Sequence, residues 1–182
     1  EDDRIEAVAT AASWIHDEEA VKLFYGGEEG VAARIAAAQV AKAKYEETGE
    51  IDYIKAISTT DETAAMFGPY DYYLNSERGA VPEWDADKFA VMTWEDWLTF
   101  NPRSSAVNLD APTLMIHSDG AVLPEYTKIY FDEINTADKK LVWVGTDILP
   151  SPFHQFNFYD VDTEVNLTVD ESVQWFTEKL GQ

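Results

Sequence analysis

Three short apolar runs, set among helical patterns, constrain this chain more than any other feature. They are "RIEAVATAAS" (Arg4 to Ser13), "DAPTLMIHSDG" (Asp110 to Gly120) and "KKLVWVGTD" starting at Lys139. Leu114 to Ile116 are apolar in succession, which suits a strand covered on both faces, as in a parallel sheet. Between the second and third runs, "LPEYTKIYFDEIN" patterns as a helix with Pro124 in its first turn and Ile129, Tyr130 and Ile134 inward. After the third, Val165, Val169, Val173, Phe176 and Leu180 recur at helical spacing and predict an apolar helix face, which Gly181 stops. The order is strand, long insert, strand, helix, strand, helix. It predicts an α/β fold with three parallel strands joined by right-handed crossovers.

On this reading residues 1–13 and 109–182 form the α/β core, and 14–108 form a helical cap insertion. In the insertion, "HDEEAVKLFYGG" begins with Asp17 as N-cap and ends at Gly26-Gly27. Glu28 to Gly49 is a helix, rich in Ala, with acids in its first turn and Gly49 as its stop. Its stripe is Val31, Ile35, Ala38 and Tyr45. Residues 50 to about 92 show little periodicity and predict turns and loops packed by aromatic rings. "TWEDWLTF" is a short helix with Thr93 as N-cap.

Composition narrows the function classes. The 182 residues suit one domain, and an apolar fraction of 46% is enough for a core. The formal net charge of −22 would repel nucleic acid and anionic membrane surfaces, so neither is expected as a partner. The acids are scattered, as on a solvated surface, and a salt-loving source fits them. There is no Cys, which excludes thiolate nucleophiles and Cys-based zinc sites within the chain. His16 precedes "DEE", but adjacent residues splay apart and give no metal-ligand spacing. Neither metal nor cofactor is expected. No membrane-spanning run or signal-peptide pattern is visible, and the sequence leaves localisation open, with the cytoplasm favoured. Asn166-Leu167-Thr168 is a formal sequon, placed inside a predicted helix.

The segments "PTLMIHSDGAVLPE", "LVWV" and "HQFNFYD" resemble the C-terminal half of α/β-hydrolase fold proteins, and the bacterial dienelactone-hydrolase-like group in particular. "DRIEAVATAASWIHD", "YGGEEG", "STTDETAAMFGPYDYYLN" and "PEWD" resemble the cap segment of that group. The resemblance implies a chain order of nucleophile, acid, base, with the nucleophile in a G-x-S-x-G or G-x-C-x-G turn. That turn is absent; the nearest spacing is "GGEEG", centred on Glu28. The resemblance therefore implies a nucleophile upstream of Glu1 and a chain that is a C-terminal half. A three-stranded parallel sheet would also leave an unpaired edge. "RIEAVATAAS" is accordingly expected to pair with a strand of a companion segment, the N-terminal half of the same fold.

The resemblance implies Asp119 as the acid that orients the base, and His154 as the base. Each stands one residue from the usual position: the acid aligns nearer Gly120 and the base with Gln155, which takes no proton. Glu125 is a poorer acid, at a helix head that favours a carboxylate anyway. Asp119 also fits a turn residue in "SDG", and His154 a loop histidine packed among Phe153, Phe156 and Phe158. His117, inside the second strand, fits a core histidine. Phe67, Tyr70, Tyr72, Tyr73, Trp84, Trp94 and Trp97 supply rings for a pocket or simply pack the cap.

The expectation is a hydrolase of esterase type acting on an ester or related acyl bond. Its nucleophile would lie outside this chain, and its partner would be a small-molecule ester. The alternative is a non-catalytic protein of the same fold that binds an apolar ligand under the cap. An acidic interaction protein would instead concentrate its acids on one face. The ring of His154 separates the first two: directed at Asp119 and open space in the enzyme, buried or turned to solvent in the binder.

Overall fold

The computed structural model describes residue 2, residues 4–145 and residues 149–181. In chain order the strands are β1 (Val8–Ala11), β2 (Tyr53–Ile54), β3 (Ile57–Ser58), β4 (Met66–Phe67), β5 (Phe89–Ala90), β6 (Thr113–Ser118) and β7 (Lys139–Val144). The helices are α1 (Ala20–Phe24), α2 (Gly27–Thr48), α3 (Trp94–Thr99), α4 (Pro124–Glu133), α5 (Asn157–Asp160) and α6 (Asp162–Leu180). Two compact units result: Glu1–His16 with Asn101–Gln182, and Asp17–Phe100.

The first unit is an α/β fold. Its sheet has the order β1-β6-β7, parallel throughout, with Val8 opposite Thr113 and Thr113 opposite Lys139. Among the described residues only β6 has a strand on both sides, and all six of its residues are buried. Side chains alternate along a strand. Leu114 and Ile116 join Ala12, Phe158 and Trp175 in one core layer, and Met115 joins Ile15, Ala106 and Ile134 in the other. This is the two-sided cover that the apolar run predicts. β1 and β7 are edges and only partly buried, so "RIEAVATAAS" yields a short edge strand rather than a buried one.

The α6 stripe corrects the periodicity reading. Trp175 is buried and Leu167 packs on the core, while Val169 and Val173 are 51% and 60% exposed and Phe176 and Leu180 are exposed as well. The helix turns its widest apolar face away from the sheet. Helical period reveals that such a face exists, but not which neighbour covers it. Ile134, just past the end of α4, is inward as predicted, and Ile129 on the helix is exposed.

The second unit is built around α2. Gly49 ends that helix in the left-handed region at φ 74°, where the lack of a Cβ removes the strain. Val21, Tyr25, Ala38, Trp94 and Leu98 form its core, with Val31 and Ile35 against it. Arg34 lies over the rings of Tyr25 and Trp94, 5.3 and 5.4 Å from their centroids, and donates to the carbonyls of Tyr25 and Gly30. Thr93 does not cap α3 with its side chain; its hydroxyl donates to the carbonyl of Ala90. The segment read as turns also holds two minimal pairings, β2 with β5 antiparallel and β3 with β4 parallel. Strands of two residues are too short to show a period.

Candidate functional site at the carboxyl end of the sheet

Ligand sites of open α/β sheets lie beyond the carboxyl ends of the strands. There β1 ends at Ala11, just before Ala12, and β6 ends at Ser118 and runs into Asp119 and Gly120. Two non-glycine residues at this end have positive φ, Ala12 at 46° and Leu123 at 52°, an uncommon conformation that clusters at functional sites. The loop after β7 comes back to the same place. Thr146 to Ile148, its first residues after Gly145, lie outside the described residues. Further on, His154 donates its backbone N–H to the carbonyl of Gly120 at 2.9 Å, and the Ser151 hydroxyl donates to the carbonyl of Ala121 at 2.7 Å.

His154 is 3% exposed, and both its ring nitrogens are engaged. Nδ1 lies 2.6 Å from the Ser118 hydroxyl and Nε2 lies 3.0 Å from Oε1 of Glu164. Phe158 meets the ring edge-on at 5.3 Å. A carboxylate only accepts, so in the neutral ring Nε2 carries the proton, Nδ1 accepts, and the Ser118 O–H donates to it. The Ser118 oxygen in turn accepts the backbone N–H of Ala121 at 3.1 Å. The result is a buried chain of hydroxyl, imidazole and carboxylate, all pointing one way.

Asp119 does not join this chain. Ser118 and Asp119 are consecutive at the end of a strand, so their side chains leave on opposite sides. Ser118 follows Leu114 and Ile116 toward α6. Asp119, 63% exposed at its side chain, pairs with Lys128 at 3.2 Å. The indole N–H of Trp143 and then the Lys128 ammonium hold its carboxyl below the usual range. Lys128 also pairs with Glu125 at 2.8 Å and lies 4.6 Å from the centroid of the Trp143 ring. The structure does not bring Asp119 and His154 together: among the described residues, the carboxylate on His154 belongs to Glu164. Nothing in the periodicity marked Glu164, because an acid in the first turn of a helix has an ordinary explanation in the helix dipole. Ser118 was quoted only as part of a turn.

Gln155 has a separate task. Its Nε2 donates to the carbonyl of Ala12 at 2.6 Å and to the Tyr159 hydroxyl at 2.8 Å, and its Oε1 accepts the N–H of Val122 at 3.1 Å. One buried amide thus joins the end of β1 to the turn after β6. His117 is 1% exposed and stacks on Trp143 at 5.4 Å; burial above all pushes its pKa down. On the other face of the sheet, a cavity of about 190 Å³ is lined by Val8, Thr10, Met115, Pro102, Leu109 and Tyr130, among others. Among the described residues no group of three or more His, Asp or Glu is placed to hold a metal ion, and no helix is long and apolar enough to cross a membrane.

No protein-family model matches this chain, and none of the curated proteins matches it. Solved structures do. The chain is similar to a hypothetical protein, PA2218, from Pseudomonas aeruginosa, with a TM-score of 0.72 and 17% identity over 98% of this chain and 55% of that one. It is also similar to DcsB, solved in complex with its substrate analogue, with a TM-score of 0.68 and 16% identity over 100% of this chain and 59% of that one. These likenesses establish a known α/β fold shared with an enzyme. The chain spans just over half the length of either neighbour.

Proposed function

We propose that this chain is part of an α/β-hydrolase acting on an ester or related acyl bond, with His154 as its base. The observation that carries the reading is the imidazole of His154 at the carboxyl end of the central strand, with a hydroxyl on one nitrogen and a carboxylate on the other. That is the arrangement a proton-shuttling base needs. The likeness to DcsB, an enzyme caught with a substrate analogue, supports it at the level of fold. The attacking Ser or Cys belongs to a companion segment, the N-terminal half of the same fold. Three features support such a partner: the open edge of β1, the uncovered stripe on α6, and neighbours nearly twice as long. The cap expected from the sequence stays part of the proposal, carried by Asp17–Phe100.

A second reading, a protein that binds an apolar acyl ligand without turnover, is favoured by one observation. His154 is buried with both nitrogens occupied, and the neighbouring Gln155 takes no proton. The experiment is an ester panel of increasing acyl length on the intact protein and on His154→Ala. The hydrolase reading expects turnover that falls by about 10²- to 10⁴-fold in the variant. Saturable binding of acyl ligands with no hydrolysis selects the second reading. Full hydrolysis by His154→Ala removes His154 from the mechanism.

A further inference from the structure

We infer that the groove beside β1, on the Met115 face of the sheet, is the seat of a helix that leads directly into β1 from the companion segment. This rests on the reading of the chain as part of a larger fold. The register sets which side chains face the groove. Val8 pairs with Thr113, Thr10 with Met115 and Met115 with Leu141, so these five residues point to one side. α4 lies on that side, with Tyr130 and Phe131 packed beside Met115 and Ile134. Next to β1 the same face holds the cavity of about 190 Å³, between Val8 and Thr10 on the strand and Pro102, Leu109 and Tyr130 around it.

The groove suits apolar side chains. Its threonine hydroxyls are turned to the backbone: Thr113 Oγ1 donates to the carbonyl of Ala111 at 2.8 Å and Thr10 Oγ1 to that of Leu114 at 3.5 Å. An apolar cavity of about 150 Å³ stays dry and takes a benzene ring, so this larger one has room for an aliphatic or aromatic side chain from outside. The groove runs along β1 from Val8 to Ser13, about 17 Å at the rise of a strand. A helix covers that length in about 11 residues, or about three turns.

Topology decides which element fills it. The order β1-β6-β7 steps one way across the sheet. The crossover from β6 to β7 lies on the Met115 face, and the connection into β6 arrives on it too, through Ala106 and Leu109. Parallel crossovers within a sheet are right-handed. With one hand and one direction of step, every crossover falls on the same face. A strand added at the open edge of β1, one step earlier, therefore reaches β1 through a helix on the Met115 face, where the groove is. The α6 stripe belongs to the opposite face, with Trp175 and Leu167 against Leu114 and Ile116, so the helix entering β1 does not cover it. Both solved neighbours are long enough to hold a further strand and helix, since this chain spans 55% and 59% of them.

The test uses the intact protein with Tyr130→p-benzoylphenylalanine, a photo-crosslinking ring of similar shape, and mass spectrometry of the joined peptides. The crosslinks are expected on residues three or four apart in the segment that runs into β1, as one helix face requires. Crosslinks only to another part of the protein, to a second copy or to a small apolar molecule overturn the inference. A second measurement leaves Tyr130 in place. This chain has no Cys, so Val8→Cys puts a single thiol of this chain in the groove and Val40→Cys, where the valine is 72% exposed, puts one in water. In the intact protein the Val8→Cys thiol should react with a maleimide about 10²-fold more slowly than the Val40→Cys thiol, through local opening only. Equal rates mean an open groove and overturn the seat. An intact protein with the mass of this chain alone removes the companion segment and its helix together, whereas a longer protein with Tyr130 crosslinked elsewhere removes the helix alone.

Discussion

Replacing Gln155 by Leu tests whether that side chain is a vestigial base or a tie between strands. Leu keeps most of the volume and the apolar contacts and removes both polar ends. Two buried backbone groups then lose their partner, the carbonyl of Ala12 and the N–H of Val122. Leaving a buried group unsatisfied costs about 1–3 kcal/mol, so the pair costs about 2–6 kcal/mol. The Tyr159 hydroxyl belongs to a side chain that is 39% exposed, takes water instead and adds little. Against a total stability of about 5–15 kcal/mol this is a severe loss, equal to a fall in Tm of about 8–16 °C at the centre of the range. The assay is urea unfolding of the intact protein followed by fluorescence of its six Trp, which report on both units. The midpoint should fall with an unchanged m-value. Gln155→Glu keeps an acceptor for Val122 but turns the donor facing Ala12 into a second acceptor, so it should be at least as damaging at neutral pH. A loss below about 1 kcal/mol for Gln155→Leu would mean that neither backbone group depends on the amide, and the tie would be an incidental contact.

Other parts of the molecule give shorter tests. Val173→Asp and Phe176→Asp on the outer face of α6 should leave the stability of this chain within about 0.5 kcal/mol while abolishing association with the proposed companion segment in a pull-down; unchanged association removes the stripe from the proposed interface. Leu114→Ala in the centre of β6 should cost about 2–5 kcal/mol by urea titration. Burial holds the folded-state pKa of His117 below its unfolded value of about 6.5, so the unfolded chain binds the extra proton first. Its contribution is complete above about pH 6.5 and is lost as pH falls below that value. His117→Phe, which keeps a ring against Trp143, should flatten this part of the stability–pH curve, and an unchanged curve would refute the assignment. With a net charge of −22, self-repulsion should make the urea midpoint rise with salt until the screening length nears about 3 Å at about 1 M.

The α/β class was legible because β6 is apolar on both faces over consecutive residues, a pattern that few other structures require. The partner of His154 was not legible. Glu164 is 10 residues from His154 in sequence, but a helix start and a loop with 3-10 turn structure intervene, and spacing across such a break predicts no geometry. The opposite sides taken by Ser118 and Asp119 could have been read from strand alternation, had the end of β6 been fixed at Ser118. α6 shows the limit of periodicity more sharply: Trp175, outside the predicted stripe, is the residue that packs. A large ring with a polar edge outweighed a row of valines in choosing the buried side.

Pairing β1 with β6 closes a loop of about a hundred residues, since Thr10 and Leu114 are 104 apart, and the Gln155–Ala12 bond spans 143. Contacts that distant are entropically expensive to make early, so β1 belongs to the late stage of folding. Substitutions along β1 should then speed unfolding and leave the refolding rate nearly unchanged. Until that last strand docks, β6 itself has an exposed edge, and its run of apolar residues is the segment of the nascent protein most in need of a chaperone.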